Sequence, residues 1–288
     1  MKKRKNYKLS ERLLVMLFLM GMGLITATII FLLIGKKHLL AMITLQDVMV
    51  FILPAVLSMA LFYHRPMHVM GFDKAPSWKW LVIVVAFYFI SLPGMNWLVH
   101  INESMTLPSW MSDIEQWMRA SEDRAAETTK QLLDIHSVTN FLVSIFVIGF
   151  MAGLSEEALF RGAMQRTMQD NRLGIHAVVW ITAIVFSAIH MQFYGFVPRL
   201  VLGLWLGYLF VWSGSLWVSI IAHTLNNSSV VLFTYLTNQG IVPQSYGDNL
   251  GIPTEGSFPW LAIASIIASL ALALALYLHH HNKRPVSN

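Results

Sequence analysis

Two adjacent carboxylates and an arginine stand inside an apolar run, Gly153-Leu154-Ser155-Glu156-Glu157-Ala158-Leu159-Phe160-Arg161-Gly162, and His190, His223 and Asn227 follow in later apolar runs. Ionisable groups inside lipid-spanning helices cost free energy and are functional-site hypotheses by default. On this reading such groups are confined to the second half of the chain. Glu157 and Arg161 are four apart and share a helix face, so the guanidinium can neutralise and orient the carboxylate. Glu156 points ~100° away around the helix and is the freer of the two. His223 and Asn227 are also four apart on one face.

The chemistry such a set suits is attack by water on an amide. A carboxylate or imidazole in a low-dielectric pocket can serve as general base near neutral pH, while an asparagine or a protonated histidine can donate to an oxyanion. Alternatively, Glu156, His190 and His223 can hold Zn²⁺ with one position open for water. The spacing is not the H-E-x-x-H signature, so local motif does not favour a metal. Plainer readings exist for each group. The Glu156, Glu157 and Arg161 set can be a structural ion pair, His190 a hydrogen-bonded histidine at a helix end, and His223 with Asn227 an interhelical hydrogen-bonding pair. The chain has no cysteine, which excludes disulfides, thiolate ligands and a thiol nucleophile.

The elements that must position these residues are read from hydropathy. Of 288 residues 56% are hydrophobic and 12% charged, against roughly 25% charged in an ordinary soluble domain. An all-α polytopic membrane protein follows, since each span takes ~20 mostly apolar residues. Eight candidate spans lie near 13–35, 48–63, 80–99, 138–169, 174–191, 193–213, 215–237 and 258–280. The second is short enough to be tilted or partly re-entrant, and the fourth is long enough that it must tilt or project. The first follows Met1-Lys2-Lys3-Arg4-Lys5 and reads as a retained span, because it is longer than a signal-peptide core and lacks a small-residue cleavage site.

Alternating spans put the amino-terminal basic cluster, His64, Arg65, Lys74, Lys79, Arg166, Arg172, Lys283 and Arg284 on one side, which the positive-inside tendency makes cytoplasmic, with both termini. The net charge of +5 is thereby explained without a nucleic-acid partner. The opposite side receives the acidic segment from Ile101 to His136 and the loop around Asp248 and Glu255; Lys36 and Lys37 are the exception. Within the acidic segment, Pro108 to Leu133 carries Ile114, Trp117 and Met118 at helical spacing and reads either as an amphipathic helix on the outer surface or as an exposed loop.

Depths along the spans test whether the polar residues can meet. Glu156 and His190 lie ~20 and ~25 Å from the inner turn at 170–173, and His223 and Asn227 ~12 and ~18 Å from Ser215, at ~1.5 Å per residue. One cluster is permitted. Gly203 and Gly207 read as a close helix-packing pair. His38, His64, His68, His100 and His136 fall at interfaces, and His176 and the run His279-His280-His281 are left out of the site.

The motifs E-E-x-x-x-R at Glu156, Glu157 and Arg161, F-x-x-x-H at Phe186 and His190, and H-x-x-x-N at His223 and Asn227 resemble those of the CPBP family of intramembrane proteases. That family includes the type II CAAX prenyl endopeptidases and bacterial bacteriocin-processing and immunity proteins. The resemblance covers roughly residues 140–237. It implies an all-helical fold with a four-span catalytic core, water activated by Glu156, a catalytic role for His190, and an oxyanion stabilised by His223 with Asn227. Glu157 and Arg161 carry over as supporting residues. The family's members have been described both as metalloproteases and as glutamate-dependent enzymes, so the resemblance leaves the metal, and Zn²⁺ in particular, open.

The expectation is therefore an intramembrane endopeptidase acting on a peptide or a lipid-modified protein tail delivered from the membrane, with lipids and substrate as its partners, in a bacterial plasma membrane. Residues 1–137 form amino-terminal spans and an outer loop with no matching motif and a possible part in substrate access; 138–237 form the core; and 238–288 form an outer loop, the last span and a tail. Two other classes fit the same residues: a proton-coupled transporter relaying protons through Glu and His, and a non-catalytic immunity or scaffold protein.

Overall fold

The computed structural model describes residues 7–34, 39–171, 173–243, 249–254 and 257–282. The basic residues at 2–5, with Lys36, Lys37, His38, Arg172, Asp248, Glu255, Lys283 and Arg284, lie outside the described residues, and so does their share of the expected charge asymmetry.

Among the described residues the longer helices in chain order are α1 (Leu9–Ile34), α2 (Leu39–Phe62), α3 (Trp78–Glu103), α4 (Ser112–Leu132), α5 (Val138–Gln169), α6 (Ile175–Ala188), α7 (Phe196–Ser213), α8 (Leu216–Asn238) and α9 (Trp260–Asn282). Seven are long and apolar enough to cross a membrane: α1, α2, α3, α5, α7 with the 3₁₀ turn Phe193–Gly195 before it, α8 and α9. The expected eight spans are corrected at the fifth. At 14 residues, α6 is ~21 Å long, well short of a ~30 Å hydrocarbon core. The apolar run ends where the chain turns at Met191, whose φ of 53° is left-handed.

The second span is corrected in the other direction. It has 24 residues and begins at Leu39. Gln46 and Asp47 fall outside the expected second span, but Asp47 is buried in the bundle at 5% exposure. Ionisable residues inside spans are thus not confined to the second half of the chain.

Large apolar side chains line the outside of the bundle, among them Leu14, Phe18 and Leu32 on α1 and Leu270 and Leu274 on α9. In lipid such exposure costs little, so close packing and polar contacts decide which helices meet. Pro93 interrupts the backbone ladder of α3. Ser265 of α9 repairs the region by donating to the Ile90 carbonyl at 2.5 Å and accepting from the Gly94 N–H at 3.0 Å. Glycines set the approach of α7 to α6: a Cβ on Gly203 would lie 3.1 Å from that of Ala183, and one on Gly207 2.9 Å from Val179 Cγ1.

Contacts define two faces. At the near face, where α1 begins, Arg12 reaches Tyr63 and Asp170 at the ends of α2 and α5, and the Leu216 N–H at the start of α8 donates to the Gly71 carbonyl. At the far face, Asn238 of α8 donates to the carbonyls of Leu133 and Ile135. The acidic segment there is helix α4, with Asp113 and Glu115 in its first turn, where the helix dipole favours them.

Candidate functional site

The backbone of α5 changes character around its carboxylates. The α-helical stretch Ala152–Glu157 lies between two segments widened to π-helix, Ile145–Met151 and Ala158–Gln165. A third widened segment, Asp47–Ile52, lies in α2. Such widening re-aims side chains and recurs at functional sites. Here it accompanies the pairing of Glu157 with Arg161, whose Nη1 donates to Glu157 Oε1 at 2.6 Å.

Both members of that pair are 0% exposed. Burial of two charges is offset only if their remaining polar atoms find partners. Arg161 Nη2 donates to the Gly203 carbonyl at 2.9 Å, and Gln165, one turn further along α5, donates to the Gly207 carbonyl at 3.2 Å. The two glycines thus bring the α7 backbone within reach of the polar face of α5. The Arg161 guanidinium also lies 4.7 Å over the Phe186 ring, a cation–π contact.

Glu157 Oε1 has a second partner: His223 Nδ1 of α8 at 2.9 Å. The other nitrogen of that ring, Nε2, lies 3.8 Å from Glu156 Oε2. The adjacent carboxylates differ in access, since the Glu156 side chain is 16% exposed and that of Glu157 0%. Glu156 acts electrostatically on His190, Arg161 and Arg199. His190 follows α6, and its Nδ1 donates to the Phe186 carbonyl at 2.8 Å, which leaves Nε2 as the acceptor nitrogen of a neutral ring. The Phe186 ring stands edge-on to both imidazoles, with centroids 5.2 Å from His190 and 5.9 Å from His223.

Glu156, Glu157, Arg161 and His223 are therefore in direct contact or nearly so, and His190 joins them across Phe186. Asn227 sits one turn beyond His223 along α8. One of its amide N–H groups donates to the Ile148 carbonyl at 3.3 Å, and its Oδ1 accepts from Asn226 at 3.2 Å. His223 is thus bonded to Glu157 and stands further from the freer Glu156.

His223 and His190 each commit Nδ1, to Glu157 and to a carbonyl, and leave Nε2 free, as metal-ligating histidines commonly do. Among the described residues no three His, Asp or Glu side chains converge closely enough to hold an ion.

Residues 138–229, which carry all of these groups, match the family model of the type II CAAX prenyl endopeptidases, Rce1-like. Over that segment, about a third of the chain, the sequence is similar to that family. No curated protein and no solved structure is significantly similar to the chain. The helices fit an integral membrane protein in which the segment similar to the type II CAAX prenyl endopeptidases is preceded by three helices long and apolar enough to span and by α4.

One ionisable group near the CAAX-protease-like core was missed in the sequence. Asp47 of α2 is buried, lies within hydrogen-bonding reach of Ser155 and acts electrostatically with Glu156 and His223. Its Oδ2 has no hydrogen-bond partner among the described residues. The signal was present, an aspartate beside a long apolar run, but the span boundary drawn at residue 48 excluded it. His176, His280 and His281 are remote from the cluster and line a separate cavity of about 210 Å³ at the near face with Tyr208, Trp212 and Tyr277.

Proposed function

We propose that the protein is an intramembrane endopeptidase that hydrolyses a peptide bond in a peptide or lipid-modified protein tail delivered from the membrane, with Glu156 as general base. The observation that carries this reading is the unlike state of two neighbouring carboxylates. Glu157 is sealed and committed to Arg161 and His223, whereas Glu156 is partly exposed beside two imidazoles. An uncommitted carboxylate in an apolar surround is a suitable base for water.

In the proposed reaction Glu156 takes a proton as the water oxygen attacks the scissile carbonyl carbon. The resulting oxyanion accepts hydrogen bonds from the Nε2–H of protonated His223, whose Nδ1–H is held by Glu157, and from the Asn227 N–H that Ile148 does not use. Collapse breaks the C–N bond, and the proton on Glu156 passes to the leaving amine. His190, with Nε2 as acceptor, helps to hold the water. The near face, where α1 begins, is cytoplasmic in this reading.

The test is cleavage of a mixed set of peptides and lipidated tails by the purified protein in lipid, with wild type, Glu156→Gln and His190→Ala compared. Glu156→Gln lowers turnover by roughly 10²- to 10⁴-fold, the usual worth of a positioned general base. Chelator leaves the wild-type rate unchanged. Wild-type turnover by Glu156→Gln would refute the assignment, and loss of activity with chelator, restored by Zn²⁺, would refute the metal-free mechanism.

A further inference from the structure

The turn at 189–195 that carries His190 is poorly supported by its own backbone. Met191 adopts a left-handed φ of 53°, a conformation that costs a non-glycine residue about 1 kcal/mol or more. The His190 N–H bond to the Ser187 carbonyl is long at 3.4 Å, and that of Met191 to the Ala188 carbonyl is 3.1 Å. Because α6 is short, the turn sits below the far face, where unpaired backbone groups are costly in lipid.

Groups from three directions hold it. From within, Ser187 donates to the Phe196 carbonyl at 2.6 Å and Arg199 of α7 bonds to both the carbonyl and the side chain of Gln192. The guanidinium lies so close to Gly195 that a Cβ there would stand 2.5 Å from Nη1. From the side, Asn102 of α3, 4% exposed, donates Nδ2 to the Phe193 carbonyl at 3.3 Å and accepts the Val197 N–H at 2.9 Å. That N–H belongs to the first turn of α7, where backbone donors lack helical partners.

From above, α4 lies on the turn. Ser121 donates to the Met191 carbonyl at 3.0 Å, Glu122 accepts from the Tyr194 N–H at 3.4 Å, and the Trp117 and Phe193 rings are 5.0 Å apart. Arg119 lies 4.5 Å over the Tyr194 ring and is paired with Glu115 at 2.7 Å. The hydrogen bond from Arg119 holds the Glu115 carboxyl below its usual range, so the pair stays charged in mild acid.

We propose that Asn102 and the face of α4 bearing Ser121 and Glu122 are positioning residues for His190, so that a part of the chain outside the family-matched core sets the placement of a site histidine. The consequence for catalysis rests on the protease reading above; the consequence for the geometry of His190 does not.

The experiment uses the full-length protein in lipid, with Asn102→Ala, Asn102→Gln and the double variant Ser121→Ala/Glu122→Ala. Two quantities are read: steady-state cleavage, and the rate at which diethyl pyrocarbonate modifies His190, resolved by mass spectrometry with His68 and His136 as internal references. Asn102→Ala lowers kcat by roughly 100-fold, the scale of a ~1 Å misplacement, and raises the modification rate of His190 relative to the references. KM stays within about twofold, as expected when a group acting in the transition state is displaced. Asn102→Gln, which retains donor and acceptor, recovers part of the rate, and the α4 double variant loses about tenfold.

If Asn102→Ala does not fold, the double variant, altered only on an exposed helix, decides alone. The proposal is overturned if the folded variants leave the reactivity of His190 unchanged, or alter it while kcat stays at the wild-type value. Absence of cleavage by the wild type overturns the protease reading instead, and the modification arm still decides whether Asn102 and α4 place His190.

Discussion

Among the described residues two arginines are almost completely buried, Arg12 at the near face and Arg161 in the middle of the bundle, and the two are put to different use. Arg12 donates to Tyr63 and Asp170, both at 2.9 Å, and Tyr63 in turn donates to Asp170 at 3.1 Å. The guanidinium also lies over the Phe62 and Tyr63 rings. Every one of these contacts joins the ends of α1, α2 and α5. Arg161 likewise binds a carboxylate and a carbonyl, but the carboxylate it fixes goes on to orient His223, which stands beside the partly exposed Glu156. An ion pair among helix ends serves assembly. An ion pair that aims a histidine toward an accessible carboxylate also preorganises a site, which is the larger part of what a folded protein contributes to catalysis.

The sharpest way to separate these roles is to break the deeper pair one side at a time. Arg161→Met leaves Glu157 buried without its guanidinium, with only His223 still bonded to it, and unfolding measured by denaturant titration in bicelles shows a loss of about 3–5 kcal/mol. Removing both charges with Glu157→Gln and Arg161→Met recovers most of that loss, because two neutral groups no longer demand compensation. Cleavage per folded molecule does not recover with stability, since His223 remains without its orienting carboxylate. Recovery of both together would make this pair the same kind of device as the one at Arg12.

Asp47 gives a smaller and more selective effect. It is a buried carboxylate with an acceptor atom unused, near Glu156 and on a different helix. Asp47→Asn keeps the shape and removes the charge, so stability is unchanged or improved. Turnover falls roughly tenfold, equivalent to about 1.4 kcal/mol in the barrier. Unchanged turnover would place Asp47 with the structural groups.

The contrast also explains what could be read in advance. Glu156, Glu157, Arg161, His190 and His223 were legible because a charge in an apolar run is visible from immediate neighbours alone, and their motifs recur in a known family. The i, i+4 pairing of Glu157 with Arg161 was legible because it is a property of one helix. Which carboxylate takes His223 was not, since it depends on how α5 and α8 are set against each other. Asp47 was lost because the span was expected to begin at residue 48, whereas α2 begins at Leu39 and its buried face starts at Asp47. The shortness of α6 was hidden because hydropathy continues to Ile189 although the helix ends at Ala188. Asn102 carries no motif at all; its importance comes from two backbone groups nearly a hundred residues away.

Arg12 provides the mildest test and the control for the others. Arg12→Met leaves Asp170 at the near face, where its side chain is 11% exposed and Tyr63 still donates to it, so water and the phenol can compensate part of the lost charge. The expected destabilisation is about 1–3 kcal/mol, the range for a buried polar group deprived of one partner. Because the bonds of Arg12 reach helix ends and none of the residues around Glu156, cleavage per folded molecule stays at the wild-type level, measured alongside the same denaturant titration. A fall in turnover without a fall in stability would mean that the near face is coupled to the site through α5, which runs from Glu156 to the turn that carries Asp170, and the division between an assembling arginine and a preorganising one would no longer hold.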